Sequence, residues 1–397
     1  MDAHTSDQDA PGGGHGSLIN FDIAASTAAR LAPAGPVLSG HEIGAAVANL
    51  RTMADRSVPY VHDITGLEAA RDLRDSQVLI VDRASWAKAN TQSFSVLMRA
   101  PMEKLAKKQA ASLKPGSVAV GGAVTGAQLG SVLAFLSSKV LGQYDPFAAL
   151  DLDPNSAGSG FPGGRLLLVA PNIVTVEREL NVDPSDFRLW VCLHEQTHRV
   201  QFAAAPWLRH HMLTKIDQLS SLLMGNAENL TERLASAARS LTGKTSPGKA
   251  LTGPDAGLSG GAGPHDGAPS RGGILDLLQD PAEKAALSHL TAIMSLLEGH
   301  ANVVMDAVDA SIVPTVRTIR QRFNARGKDR GAVEKFIRNL LGLDAKMRQY
   351  SDGARFVRAV VAKVGMEGFN RVWTSEDHLP TEQEIHQPEL WVDRMGL

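Results

Sequence analysis

Two histidines and a glutamate form the group of residues in this sequence best suited to chemistry. They lie in the stretch His194-Glu195-Gln196-Thr197-His198. Side chains four residues apart project from one face of an α-helix, so the ring nitrogens of His194 and His198 can converge on one tetrahedral metal ion. Glu195 lies one step round the helix, where its carboxylate can reach a water molecule at the metal. The spacing predicts a zinc (Zn2+) site with a glutamate general base.

A chance match is the first alternative to a metal site. With 13 histidines in 397 residues, about 0.02 accidental matches to this pattern are expected. Histidines can also line a polar core, and the neighbouring Phe187, Trp190 and Val191 place this stretch in the interior. Two histidines that point into a core need partners, and a metal supplies them. We therefore interpret the two histidines as metal ligands.

A third protein ligand is predicted on a second helix, which should begin at Asp280 and Pro281. Glu298 and His300 are two residues apart, about 200° around a helix, so only one of them can face the metal. Glu298 shares its face with Asn302, a polar residue that can hold a histidine N–H. His300 shares its face with apolar residues, which indicates core packing. The pattern favours Glu298, with His300 as the alternative.

Most of the sequence predicts helices, and two short strands accompany them. The compact apolar runs at 77–81 and 165–170 predict the strands. Apolar residues at helical spacing predict helices over 84–97, 102–113, 129–141, 186–204, 207–224 and 280–309. Ser185 is the predicted N-cap of the helix that carries the two histidines. These elements predict a mainly α (α+β) fold with a small β-sheet.

The chain is predicted to form a single domain over residues 17–397. Residues 1–16 are polar and rich in glycine, which predicts a disordered tail. Residues 242–273 are rich in Gly, Pro, Ser and Ala, which predicts a flexible insertion rather than a domain boundary. The last residues, 379–397, are predicted to form an extended tail held by Trp391.

Composition favours a cytoplasmic globular protein. Hydrophobic residues make up 43% of the chain, enough for a sizeable core, and the formal net charge of -2 gives no field that would recruit nucleic acid or an acidic membrane. The single cysteine, Cys192, excludes an intramolecular disulfide and fits a reducing compartment. The first residues contain no apolar stretch typical of a signal peptide. No uninterrupted apolar run approaches the roughly 18 to 20 residues of a membrane-spanning helix.

Three blocks of the sequence stand out together: residues 141–147 (LGQYDPF), 194–208 (HEQTHRVQF, then PWL) and 294–301 (MSLLEGHA). These blocks resemble the actinobacterial zincin-like metallopeptidase family, some of whose members are associated with biosynthesis of the deazaflavin redox cofactor. The resemblance spans the chain from about residue 16 and implies a mostly helical, zincin-like fold with an unassigned substrate. A glutamate ligand followed four positions later by a polar residue, here Glu298 and Asn302, also resembles the gluzincin arrangement. The interval from His198 to Glu298 is longer than in many gluzincins.

These observations predict a zinc-dependent hydrolase, and specifically a metallopeptidase that acts on a peptide or protein. An extended peptide would lie along the strand at 165–170, taken as the edge of the sheet. Tyr144 and His300 are the candidate donors to the developing oxyanion. Two alternatives stay open here. One is a zincin scaffold that keeps its metal for stability or partner binding, and the other is hydrolysis of a non-peptide amide.

Overall fold

The mainly helical fold with a small sheet that the sequence predicts is confirmed. A computed structural model describes residues 18–71, 73–109, 115–150, 163–225, 280–326 and 343–397. Within these ranges the chain forms twelve α-helices and three strands. The predicted tail at 1–16 and the predicted insertion at 242–273 lie outside them, so both stay predictions.

The elements follow one another along the chain in this order. The first part contains α1 (Phe21–Leu31), α2 (Gly40–Thr65), β1 (Gln77–Val81), α3 (Arg83–Gln109), α4 (Pro115–Ser137), β2 (Gly142–Asp145) and β3 (Arg165–Val169). The second part contains α5 (Ala170–Leu180), α6 (Pro184–Ala204), α7 (Leu208–Gly225), α8 (Pro281–Ala307), α9 (Val316–Arg326), α10 (Leu343–Asn370), α11 (Glu382–His386) and α12 (Pro388–Met395).

The three strands form one sheet in the order β1-β3-β2. The central strand β3 pairs in parallel with β1 and antiparallel with β2. The prediction that residues 165–170 form an edge strand is therefore wrong. Leu166 and Leu168 face one core and Leu167 and Val169 face another, so β3 is buried on both sides. A continuous apolar run is typical of such a strand and does not reveal the strand order.

Helices cover both faces of the sheet. On one side α1, α3 and α4 pack on one another over a small core that contains Trp86 and Leu133. The main core, on the other side, brings together α2, α6, α8 and α10 with the C-terminal helices. Its largest fully buried side chains include Phe187, Phe356 and Trp391. The helices of this larger layer position the predicted metal ligands.

The N-terminus of α6 fixes where its side chains point. Asp183 is the N-cap, its Oδ1 accepting a hydrogen bond from the backbone N–H of Asp186 at 2.9 Å, and Pro184 opens the first turn. Ser185, the predicted cap, instead lies within the helix, where its hydroxyl accepts a hydrogen bond from Asn49. The start shifts by two residues because Asp183 directly precedes the proline.

The predicted start of α8 is confirmed, with Asp280 as N-cap and Pro281 in the first turn. This helix packs tightly on α10, where Gly299 lies against Gly353. A Cβ on Gly299 would overlap the backbone of Gly353, so only glycine allows this approach. The contact fixes α8 at the turn that contains Glu298 and His300.

Two other predicted elements need correction. The helices predicted at 84–97 and 102–113 are one continuous helix, α3, which contains Pro101. The segment predicted as an extended tail is helical, since it forms α11 and α12. The anchoring role predicted for Trp391 is confirmed: its ring is fully buried and its Nε1–H donates a hydrogen bond to the carbonyl of His378 at 2.8 Å.

Helix α4 is long and apolar enough to cross a membrane, judged by length and composition alone. Its segment Val120–Ser137 has a mean hydropathy of 1.4, and 33% of the segment is buried in the fold. Core helices of soluble proteins meet the same criterion, and α4 packs extensively on α1 and α3. The absence of a membrane partner stays a prediction.

Candidate metal centre

Three predicted ligands meet at one point between α6 and α8. One donor atom from each of His194, His198 and Glu298 lies within 4.8 Å of the other two. His198 Nε2 is 3.8 Å from Glu298 Oε1, and the two imidazole rings are nearly perpendicular, with centroids 4.9 Å apart. All three side chains are half-buried. The site is thus held by the protein and still open to solvent on one side.

The three side chains fit a zinc ion. Ligand atoms bound to tetrahedral zinc at 2.0–2.2 Å are roughly 3.3 Å from one another. The present separations, 4.8 Å at most, need only small side-chain rotations to reach that value. Two imidazoles and one carboxylate leave a fourth position free, which is the composition of catalytic rather than structural zinc sites. The donor set therefore supports a catalytic type of centre.

A hydrogen-bond chain fixes the orientation of His198. The side-chain amide of Gln201 donates to the carbonyl of Leu297 at 2.8 Å and to His300 Nδ1 at 3.0 Å. Its oxygen is left to accept the Nδ1–H of His198, at 3.0 Å. The proton of His198 therefore sits on Nδ1, and Nε2 presents its lone pair toward Glu298. This tautomer is the one that a ligand at Nε2 needs.

Burial keeps His194 and His300 neutral. Burial, and next the neighbouring His198, lower the pKa of His194 to about 4, although Glu298 acts in the opposite direction. Burial and His198 also lower the pKa of His300 to about 3. A neutral imidazole has a free lone pair, so the site is electrostatically prepared for a cation.

Glu195 lies beside the three ligands and is almost fully buried. Burial, and then the carboxylate of Glu298, raise its pKa to about 8. The side chain packs against Gly142 of β2, where a Cβ would come within 2.6 Å of Cγ and 2.8 Å of Cδ of Glu195. Only glycine leaves room for the carboxylate there. The sheet edge and the predicted general base are therefore in direct contact.

The other predicted site residues are Tyr144, His300 and Asn302, and each lies in a different environment. The hydroxyl of Tyr144 donates a hydrogen bond to the carbonyl of Gly163, so its proton is already engaged. The ring of His300 is fully buried and stacks on Phe369. Neither placement supports a donor to an oxyanion, although His300 supports a ligand indirectly through Gln201. Asn302 is half-buried one turn after Glu298, and its role stays a prediction.

Sequence reasoning missed two residues of this site, Gln201 and Gly142. Gln201 lies three positions after His198 on the same helix face, a spacing that could have marked it as a partner. Gly142 gave no signal of its own, because its role depends on the approach of β2 to α6.

We expect Gln201→Leu to weaken zinc binding by about 10- to 100-fold, because it removes the acceptor that holds the Nδ1–H of His198. Competition with a chromophoric chelator measures the change. Gln201→Glu keeps an acceptor at the same place and should restore most of the affinity. Equal affinity in wild type and Gln201→Leu would show that the hydrogen-bond chain does not position the ligand.

Comparisons with known proteins found a family and a similar solved structure. The family model described as zincin-like metallopeptidase matches residues 19–392. A crystal structure from Chloroflexus aurantiacus, described as a candidate hydrolase with a novel fold, is similar to the chain with a TM-score of 0.60 and 29% identity. That similarity covers 95% of this chain and 99% of the other. No curated protein matches the chain.

Proposed function

The chain belongs to the zincin-like metallopeptidase family, and on this basis we propose that it is a zinc-dependent hydrolase that cleaves peptide bonds. The observation that carries the proposal is the convergence of His194, His198 and Glu298 with Glu195 beside them. The description of the similar Chloroflexus aurantiacus structure as a candidate hydrolase supports the reaction class.

In this proposal each residue of the centre has a distinct task. His194, His198 and Glu298 hold the ion. Zinc supplies Lewis acidity, which makes a water molecule more acidic and polarises a carbonyl group. Glu195 takes a proton from the attacking water and passes it to the leaving nitrogen. Gly142 provides the space in which that carboxylate is oriented.

The edge of β2 is the proposed place for an extended substrate. Among the described residues β2 pairs with β3 and with no other strand, and the proposal adds an extended peptide to its other edge. Gly142, at the start of β2, contacts the side chain of Glu195. A peptide added to this edge would run close to the general base. The edge of β2 thus replaces the strand at 165–170 as the substrate platform.

Several finer features remain predictions. An actinobacterial origin and an association with deazaflavin biosynthesis come from the resemblance alone. A cytoplasmic location rests on the single cysteine, Cys192, which is buried and unpaired. The two alternatives, a metal-stabilised binding scaffold and hydrolysis of a non-peptide amide, become outcomes of the following test.

A peptide library tests the proposed activity directly. The purified full chain, loaded with zinc, should cleave a subset of a mixed peptide library, with the new termini read by mass spectrometry. Treatment with 1,10-phenanthroline should abolish cleavage, and added zinc should restore it, because the ion is required for the reaction. Cleavage that survives the chelator would contradict zinc dependence.

The same experiment separates the alternatives. If no peptide is cleaved but small amides are, the reaction is hydrolysis of a non-peptide amide. If neither is cleaved by a chain that does bind zinc, the scaffold alternative is correct and the proposed hydrolase is not.

A further inference from the structure

A second group of histidines lies away from the proposed centre, where α7, α8 and the segment between α10 and α11 meet. His211 Nε2 is 2.7 Å from His289 Nε2, and His211 Nδ1 is 2.6 Å from Glu376 Oε2. The two rings have centroids 5.0 Å apart. Three separate parts of the chain therefore contribute to one small polar cluster.

The contacts assign the protons of His211. A carboxylate oxygen only accepts hydrogen bonds, so the proton of neutral His211 is on Nδ1 and is donated to Glu376. The Nε2 lone pair of His211 then points at His289. The side chain of His211 has only 10% of its surface exposed. An edge contact with Trp207 restrains its ring further. His211 thus presents a fixed lone pair to its partner.

We propose that His211 and His289 bind a second divalent transition-metal ion, with zinc as the simplest case. A carboxylate that holds the far N–H of a histidine is the usual support of a histidine metal ligand. Imidazole nitrogens favour zinc, copper and nickel over magnesium or calcium. When the ion binds, the proton that His289 Nε2 donates to His211 moves to His289 Nδ1, and the two nitrogens separate from 2.7 Å to roughly 3.3 Å around a tetrahedral ion. His289 is half-buried, so its ring has room for this movement.

The charges around the cluster predict weaker metal binding here than at the centre formed by His194, His198 and Glu298. Burial lowers the pKa of His289, and the neighbouring His211 and Lys215 lower it further, while Glu376 opposes this effect. Lys215 lies one helical turn after His211. The carboxylate of Glu376 lies against the cluster and offsets the lysine charge, and the two imidazoles are the proposed ligands. An ion here would join α7 and α8 to the C-terminal segment.

The two sites share no residue and can be emptied separately. His289 precedes Glu298 by nine positions on α8, which is roughly 13 Å along the helix axis. The second site does not depend on the proposed hydrolase activity. A variant that destroys one site therefore leaves the other to be measured.

Zinc stoichiometry of the full chain tests the second site. After equilibrium dialysis against micromolar zinc, we expect two ions per wild-type chain, one in His194→Ala, one in His289→Gln and none in the double variant. His198→Ala is measured in parallel, so that misfolding of one variant does not decide the result. Exposed His210, changed to Gln, is the matched control and should leave two ions.

A second readout is thermal unfolding. Added zinc should raise the Tm of His194→Ala and leave that of His194→Ala/His289→Gln unchanged, because only the former keeps the second site. Failure of His194→Ala to bind zinc would overturn the second site, and the pair would then be an N–H···N hydrogen bond alone. One ion lost in His289→Gln but not in His194→Ala would instead contradict the first site.

Discussion

Glu195→Gln is expected to lower peptide cleavage by about 10²- to 10⁴-fold, the usual contribution of a general base. Glutamine has nearly the same shape, so it fits beside Gly142 where the wild-type carboxylate packs. It cannot take a proton from the attacking water. Zinc content should stay unchanged, because the proposed ligands are His194, His198 and Glu298. Cleavage rates under saturating substrate and metal analysis of the same sample provide the two measurements.

A second glutamate provides the matched control for this substitution. Glu389 is exposed on α12, outside the proposed centre, and Glu389→Gln should retain wild-type activity. If Glu195→Gln kept full activity with its zinc in place, Glu195 would not be the base. If it lost zinc as well as activity, its role would be to hold the site rather than to transfer a proton.

The proximity of the two histidines in the proposed centre was predictable, because it depends on local geometry. His194 and His198 are four residues apart on one helix, so their convergence follows from the helical period alone. Glu298 was harder to predict as the third ligand, because it lies on a distant part of the chain. It was favoured over His300 because it shares a helix face with polar Asn302, whereas His300 shares its face with apolar residues. A carboxylate oxygen of Glu298 does lie within 4.8 Å of a ring nitrogen of each histidine.

The supporting residues were harder to predict. The spacing of Gln201 from His198 could have marked it as a partner, but the other contacts of these residues arise from tertiary packing. Gln201 contacts Leu297 and His300, which belong to α8. Gly142 matters because a short strand passes against Glu195. No pattern within one element contains either contact.

The strand order of the sheet was also not predictable from patterns within single elements. The strand at 165–170 was predicted from its apolar run, but its place in the sheet was not. Residues Gly142–Asp145 carry no alternating pattern that would predict a strand, yet they pair with it and leave it in the centre. Without β2, the longer strand looked like the edge. The substrate platform was therefore assigned to the wrong strand.

His194→Ala is expected to remove one zinc ion per chain and to abolish cleavage. Two ligands, His198 and Glu298, remain, and they cannot hold a tetrahedral ion as tightly as three. The loss also changes stability: an ion that binds only the folded chain stabilises it by about 2.7 kcal/mol at a free concentration one hundred times its Kd. The change is best measured in a His289→Gln background, where the first site is the one under test.

The free energy of unfolding of wild type and His194→Ala is measured with and without zinc. This comparison separates the effect of losing the metal from the effect of the cavity that alanine leaves. The cavity lowers the free energy of unfolding equally in both conditions, whereas the contribution of the ion exists only when zinc is present. His41→Ala, at an exposed position of α2, should keep the zinc-dependent gain. If His194→Ala kept that gain too, with its zinc content unchanged, the convergence of the three side chains would not be a metal centre, and the proposed hydrolase would lose its basis.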